Sequence, residues 1–361
     1  MESPPPGRRL AVKDLFDTAG LRTTYGSAIF AGHVPARTAE SVLLLEAAGY
    51  ANVGKANLHE FAYGVTSENP HYGRVPNPLA EGRIAGGSSG GSAAALAAGL
   101  AVAALGSDSA GSIRIPAACC GVVGFKPSFG LVPIDGCFPL APSFDHAGPM
   151  ARDVAECARM MEALVPGFER LEVQLSDVLV GVAWLDEADP LVRTRVEEAA
   201  AKFPNRRELA LAVPDREQWG AAFRREVLES HTGLYPERAE DYGDDVRRSL
   251  EAATELTDGE VEAARRLRQR LREEVPEELA GVDLLLTPTI PCVAPPYGHG
   301  SRTVLTKLTA LFNLTGWPAL ALPCGPAEAG LPASVQLAAP TGEDALVLAA
   351  GAALEQALSL D

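Results

Sequence analysis

The stretch from Ala85 to Pro127, AGGSSGGSAAALAAGLAVAALGSDSAGSIRIPAACCGVVGFKP, restricts the conformations open to this chain more than any other segment. Gly86, Gly87, Gly90 and Gly91 bracket Ser88 and Ser89, so the backbone there can take conformations closed to residues with a Cβ and can approach another group closely. This predicts a tight polar loop. Ser92 to Ala98 is rich in alanine and leucine and predicts a short buried helix, with Ser92 as N-cap and Gly99 as its stop. The apolar run Leu100 to Leu105 is too short for most helices. Gly106 to Ser112 breaks it before a second small-residue helix, from about Ser112 to Cys119, with Pro116 in its first turn.

A turn of small residues that ends at a helix N-terminus leaves backbone N–H groups unpaired and pointing one way, a nest suited to a developing oxyanion. Ser112 sits at that point. A serine hydroxyl needs a base to take its proton, and the usual partner, histidine, is absent between residues 85 and 127. Upstream lies Lys55. The chain has only five lysines (13, 55, 126, 202 and 307) among 31 basic residues, and lysine, unlike arginine, can lose its proton when desolvated.

These residues resemble the amidase-signature family, through Gly86 to Ser92, through Gly106-Ser107-Asp108-Ser109-Ala110-Gly111-Ser112-Ile113-Arg114, and through Gly54-Lys55-Ala56-Asn57. The likeness begins at Ala11-Val12-Lys13-Asp14, continues through Ser67 to Gly73 and Phe144 to Pro149, and resumes at Asp283 to Thr289 and Asn313 to Pro318. It implies a single α/β domain over residues 1–361, a mixed β-sheet between helix layers, with an abridged start and an abridged middle near 164–216. It also implies a Ser-Ser-Lys triad, with Ser112 as nucleophile, Ser88 as bridging serine after a cis Gly87–Ser88 bond, and Lys55 as base. The backbone N–H groups of Ser109, Ala110, Gly111 and Ser112 would form the oxyanion hole, with Ser89, Asp108 and Arg114 in support. The hydrolase reading is tied to Lys55 lying within reach of a serine hydroxyl. Ala110 stands where most members have glycine, and a left-handed backbone there would distort the hole.

The implied activity is hydrolysis of a small-molecule amide through an acyl-enzyme, without cofactor or metal. Within the family the alternatives are the glutaminase-type component of a tRNA-dependent amidotransferase and an indole-3-acetamide-type hydrolase. The glutaminase has an aspartate where this chain has Thr306, which weakens that alternative. A catalytically degenerate binding module is a further reading. An α/β-hydrolase using a G-x-S-x-G serine with His299 would leave Lys55 and Ser112 unexplained.

The net charge of −16 argues against nucleic-acid and anionic-membrane partners. Six scattered cysteines without a C-x-x-C pair, and no secretory signal, fit a cytoplasmic protein, and a homodimer is compatible with the sequence. His59, His71 and His146 lack metal-ligand spacing and read as structural. Periodicity predicts strands at 10–12, 50–53, 122–125, 178–184, 283–286, 319–322 and 333–337. It predicts helices at 36–48, 153–164, 193–202 and 305–314, and charged surface helices over 215–280. The Pro-rich loop Pro288 to Pro296 is expected to border the pocket.

Overall fold

The computed structural model describes residues 7–360. The chain opens with β1 (Arg8–Lys13), α1 (Glu40–Ala47) and β2 (Tyr50–Ala56), followed by a small hairpin of β3 (Glu68–Asn69) and β4 (Gly73–Arg74). The glycine-serine stretch then gives α2 (Gly90–Ala97), β5 (Ala103–Asp108), α3 (Arg114–Cys120) and β6 (Val123–Lys126). Next come β7 (His146–Ala151), α4 (Val154–Leu164), β8 (Val180–Val182), α5 (Pro190–Ala201) and β9 (Arg206–Glu208). Three helices, α6 (Arg216–Ser230), α7 (Asp244–Thr254) and α8 (Asp258–Glu278), precede β10 (Leu284–Pro288). Two short helices, α9 (Arg302–Leu305) and α10 (Leu311–Thr315), lead to β11 (Ala319–Pro326), β12 (Pro332–Ala338) and α11 (Asp344–Leu358).

Ten strands form one mixed sheet in the order β2-β1-β5-β7-β6-β11-β12-β10-β8-β9. Alternation along the strands sends successive side chains to opposite faces. In β1, Leu10 and Val12 join the large core cluster, whereas Ala11 joins a second cluster with Ala93 and Leu96 of α2 and Ala117 of α3. The large cluster also takes in Cys157 and Met161 of α4 and Val347 and Leu354 of α11. The sheet is therefore covered by helices on both faces, the mixed architecture expected from the sequence.

Several predicted boundaries shift. Helix α2 begins two residues before Ser92, with Ser89 at its N-cap, because Gly90 and Gly91 are already helical. Gly99 ends it at φ +70° and Gly121 ends α3 at φ +66°. The helix predicted at 305–314 is interrupted between Leu305 and Leu311, and β7, whose sequence HAGPMA shows no alternation, is absent from the sequence-based expectation. The charged segment 215–280 is helical, yet Trp219, Phe223 and Val227 of α6 are buried in the main core rather than merely covering the surface. No helix among the described residues is long and apolar enough to cross a membrane.

Candidate active site

Asp108 ends β5 and shapes the turn that follows it. Its carboxylate accepts the N–H groups of Gly111 (2.7 Å) and Ile113 (3.1 Å), two contacts from Arg114 (Nε and Nη2, 3.0 Å each) and the Asn313 amide (2.9 Å). Burial alone would raise its pKa. The Arg114 charge and hydrogen bonds, with Lys126 and Asn313 adding to them, hold it well below the usual carboxylate range. Arg114 is itself buried and reaches Thr309 C=O, Gln336 and Asn313, so α10 and β12 are tied to the turn. Asp108 and Arg114 thus brace the turn from both its ends through buried contacts.

The turn carries Ser109, Ala110, Gly111 and Ser112. Gly111 is at φ +126°, and a Cβ there would meet Thr309 Oγ1 at 2.3 Å. Ala110 does not have positive φ, so the distortion expected of a left-handed backbone there does not arise; its carbonyl accepts the Thr309 hydroxyl at 2.6 Å. Of the four candidate oxyanion donors, Gly111 is engaged: its N–H already points to Asp108. The N–H groups of Ser109, Ala110 and Ser112 have no acceptor among the described residues.

Ser88 follows a cis Gly87–Ser88 peptide, and the Ser89 N–H donates to Ser112 C=O (3.2 Å), which brings the two serine segments together. Ser89 Oγ donates to Ser107 C=O at 3.2 Å, fastening the loop to β5. The amine in this corner is not Lys55, so a hydrolase reading cannot rest on that residue and needs another base. Lys55 Nζ donates to Phe16 C=O, Thr18 Oγ1 (3.3 Å) and Thr23 Oγ1 (3.1 Å) and lies 3.5 Å from Asp14, with neither Ser88 nor Ser112 among its partners. Lys13, fully buried at the end of β1, donates instead to Ser88 Oγ (2.6 Å) and Ser107 Oγ (2.7 Å). Burial lowers the Lys13 pKa to about 7, opposed in part by Cys137, Asp108 and Asp145.

Strand register explains the exchange. Val12 pairs with Lys55 and Lys13 with Ala56, because β2 carries one extra residue between Asn52 and Gly54. Lys55 therefore shares the face of Val12, and Lys13 the opposite face, toward α2. Sequence reasoning does not single out Lys13 or Ser107 as site residues. Lys13 enters it only as one of the five lysines and within the Ala11–Asp14 likeness, and its 75-residue separation from Ser88 leaves no local signature.

Ser109, Ala110 and Ser112 line a narrow pocket with Tyr63, Val65, Leu140, Arg216, Phe223, Arg302 and Thr306. Its cavity volume is only about 30 Å³. The loop Pro288 to Pro296 does not line it; Pro291 borders a neighbouring outer cavity that shares Arg216 and Thr306. Each of the three histidines read as structural has a protein partner: His59 faces Asp245 (2.7 Å), His71 faces Glu60 (2.9 Å), and His146 Nδ1 faces Phe144 C=O (2.7 Å).

The family model described as Amidase matches residues 7–178 and 218–348. The chain is 40% identical to the A component of the glutamyl-tRNA(Gln) amidotransferase of Thermus thermophilus, with 98% of this chain and 85% of that protein covered. It is 36% identical to a component of the 1-carboxybiuret hydrolase of Pseudomonas sp. (strain ADP), with 98% of this chain and 84% of that protein covered. A crystal structure described as an amidase superposes with a TM-score of 0.88 at 38% identity, covering 97% of this chain and 84% of that one. With a buried lysine, two serines and a backbone nest gathered on one part of a ten-stranded sheet, and with these matches running nearly end to end, the chain belongs to the amidase family.

Proposed function

We propose that this protein hydrolyses a linear carboxylic amide to a carboxylate and ammonia or an amine, through an acyl-enzyme on Ser112. The observation that carries this reading is the buried Lys13 amine, 2.6 Å from Ser88 Oγ, beside a serine-lined pocket. Neutral Lys13 accepts the Ser88 proton while Ser88 accepts that of Ser112. Ser112 Oγ then bonds to the amide carbon, and the carbonyl π pair moves to oxygen. The N–H groups of Ala110 and Ser112 face no competing acceptor among the described residues, which suits them to that oxyanion; each such donor contributes on the order of 3 kcal/mol to the transition state. Collapse breaks the C–N bond, and the leaving nitrogen takes a proton from Ser88, which is reprotonated by Lys13. Water cleaves the resulting ester by the same relay.

The glutaminase alternative has less support. Thr306 stands on the pocket wall with its hydroxyl turned to Arg302 C=O, and among the described residues no carboxylate lines the pocket to hold an ammonium group. The test is reaction with a fluorophosphonate followed by mass spectrometry. The expected adduct is on the Ser112 peptide, absent in Ser112→Ala and slower to form in Lys13→Met. Absence of any Ser112 adduct in the unaltered protein overturns the reading.

A further inference from the structure

Although the molecule carries a net charge of −16, two of the polar side chains on the pocket wall are guanidinium groups. Arg216, the first residue of α6, has no carboxylate partner among the described residues. Its contacts are Thr306 Oγ1 at 3.4 Å and the face of Trp219, 5.4 Å from the ring centroid. The adjacent Asp215 is occupied elsewhere, accepting the Glu217 N–H at 3.0 Å. Burial lowers the Arg216 pKa to about 10, and the charges of Arg302 and Arg224 push it the same way. Arg302 is better provided for: it donates to Tyr63 C=O and Ser249 Oγ, stacks on the Tyr63 ring, and lies 3.9 Å from Asp245.

A half-buried cation without a carboxylate partner, sharing a narrow pocket with a second cation, is electrostatically unfavourable, and an anion seated between them lowers the penalty. Planar guanidinium groups suit a carboxylate in particular. Val65, Leu140 and Phe223 add apolar surface to a wall that also carries Tyr63, Thr306 and the serines, and the cleft is narrow. We propose that Arg216, assisted by Arg302, takes the carboxylate of the substrate, which is a short-chain monoamide of a dicarboxylic acid with no ammonium group. This rests on the amide-hydrolase reading of Ser112 and deepens it. Arg216 also borders the outer cavity, so its guanidinium is open to an anion from that side.

The test is isothermal titration of the Ser112→Ala protein, in which binding is read without chemistry. Malonamate, succinamate and glutaramate are each compared with the amide that bears an isopropyl group in place of the carboxylate. At least one of the three anions is expected to bind about 30-fold tighter than its neutral counterpart, the scale of one charge-assisted contact. Adding Arg216→Gln reduces that ratio to less than about 3-fold, and Arg216→Lys restores part of it. Equal binding of every anionic and neutral pair, or a ratio unchanged by Arg216→Gln, overturns the proposal. The hydrolase reading is judged separately by the fluorophosphonate adduct on Ser112.

Discussion

Lys13 and Lys55 are chemically alike and lie on neighbouring strands, yet their partners differ, and the proposed mechanism gives a part to Lys13 alone. Lys13→Met is expected to lower kcat about 10³-fold, within the range of a lost general base. Lys55→Met removes hydrogen bonds to the 16–23 loop and is expected to lower stability by about 1–2 kcal/mol while changing kcat less than about 10-fold. Steady-state kinetics with thermal unfolding separates the two. The base must be uncharged, and burial holds Lys13 at about 7, so kcat/KM is expected to rise through pH 7 and level off above it. A maximum near pH 5 contradicts this. Between that value of about 7 and the ordinary lysine pKa of 10.5, the unfolded chain binds the proton that the native site has released, so this group's contribution makes stability rise with pH. Arg114→Met strands Asp108 as a buried carboxylate and is expected to cost about 3–5 kcal/mol in urea unfolding. The serines are legible in the sequence because glycines flank them within a few residues. The lysine is not, because its position is decided by strand pairing.

At the scale of elements, α2 is held against the strand beside it by absent side chains. A Cβ on Gly91 would lie 2.3 Å from Asn57 C=O, the residue just past β2. Gly91→Ala is expected to displace the first turn of α2, and Ser88 with it, reducing kcat about 10²-fold with the far-UV circular dichroism spectrum retained. An unchanged kcat would show that this close approach does not position the serine. Helices α4 and α8 are readable because Asp153 and Thr257 cap them and their apolar positions recur at helical spacing. The break between α9 and α10 is not. Thr306 and Thr309 direct their hydroxyls to the carbonyls of Arg302 and Ala110, contacts that compete with a continuous helix, and the second of them is supplied only by the tertiary fold.

Across the whole molecule, one apolar cluster joins Leu10 and Val12 of the first strand to Leu284 and Leu286 of β10 and Leu354 of α11. Unfolding either half alone would expose the other half's share of that core. Calorimetry is therefore expected to show a single transition, coincident with the change in fluorescence of Trp184, Trp219 and Trp317; two separate transitions would mean two units. The sheet's existence is legible from its short apolar runs. Its order is not, since β5 sits between β1 and β7 and neither pairing has a local cue.

The extra residue in β2 has a consequence beyond its own strand. Were β1 and β2 to zip evenly past Val53, Lys13 and Lys55 would stand opposite each other on the serine side, two like charges competing for the same hydroxyls. The irregularity sorts them, sending one amine into a dry enclosure where it can shed its proton and the other into a cage of oxygens beside a carboxylate. Under the proposed mechanism, a single unpaired position on an outer strand thus divides reactivity from anchorage between twin side chains.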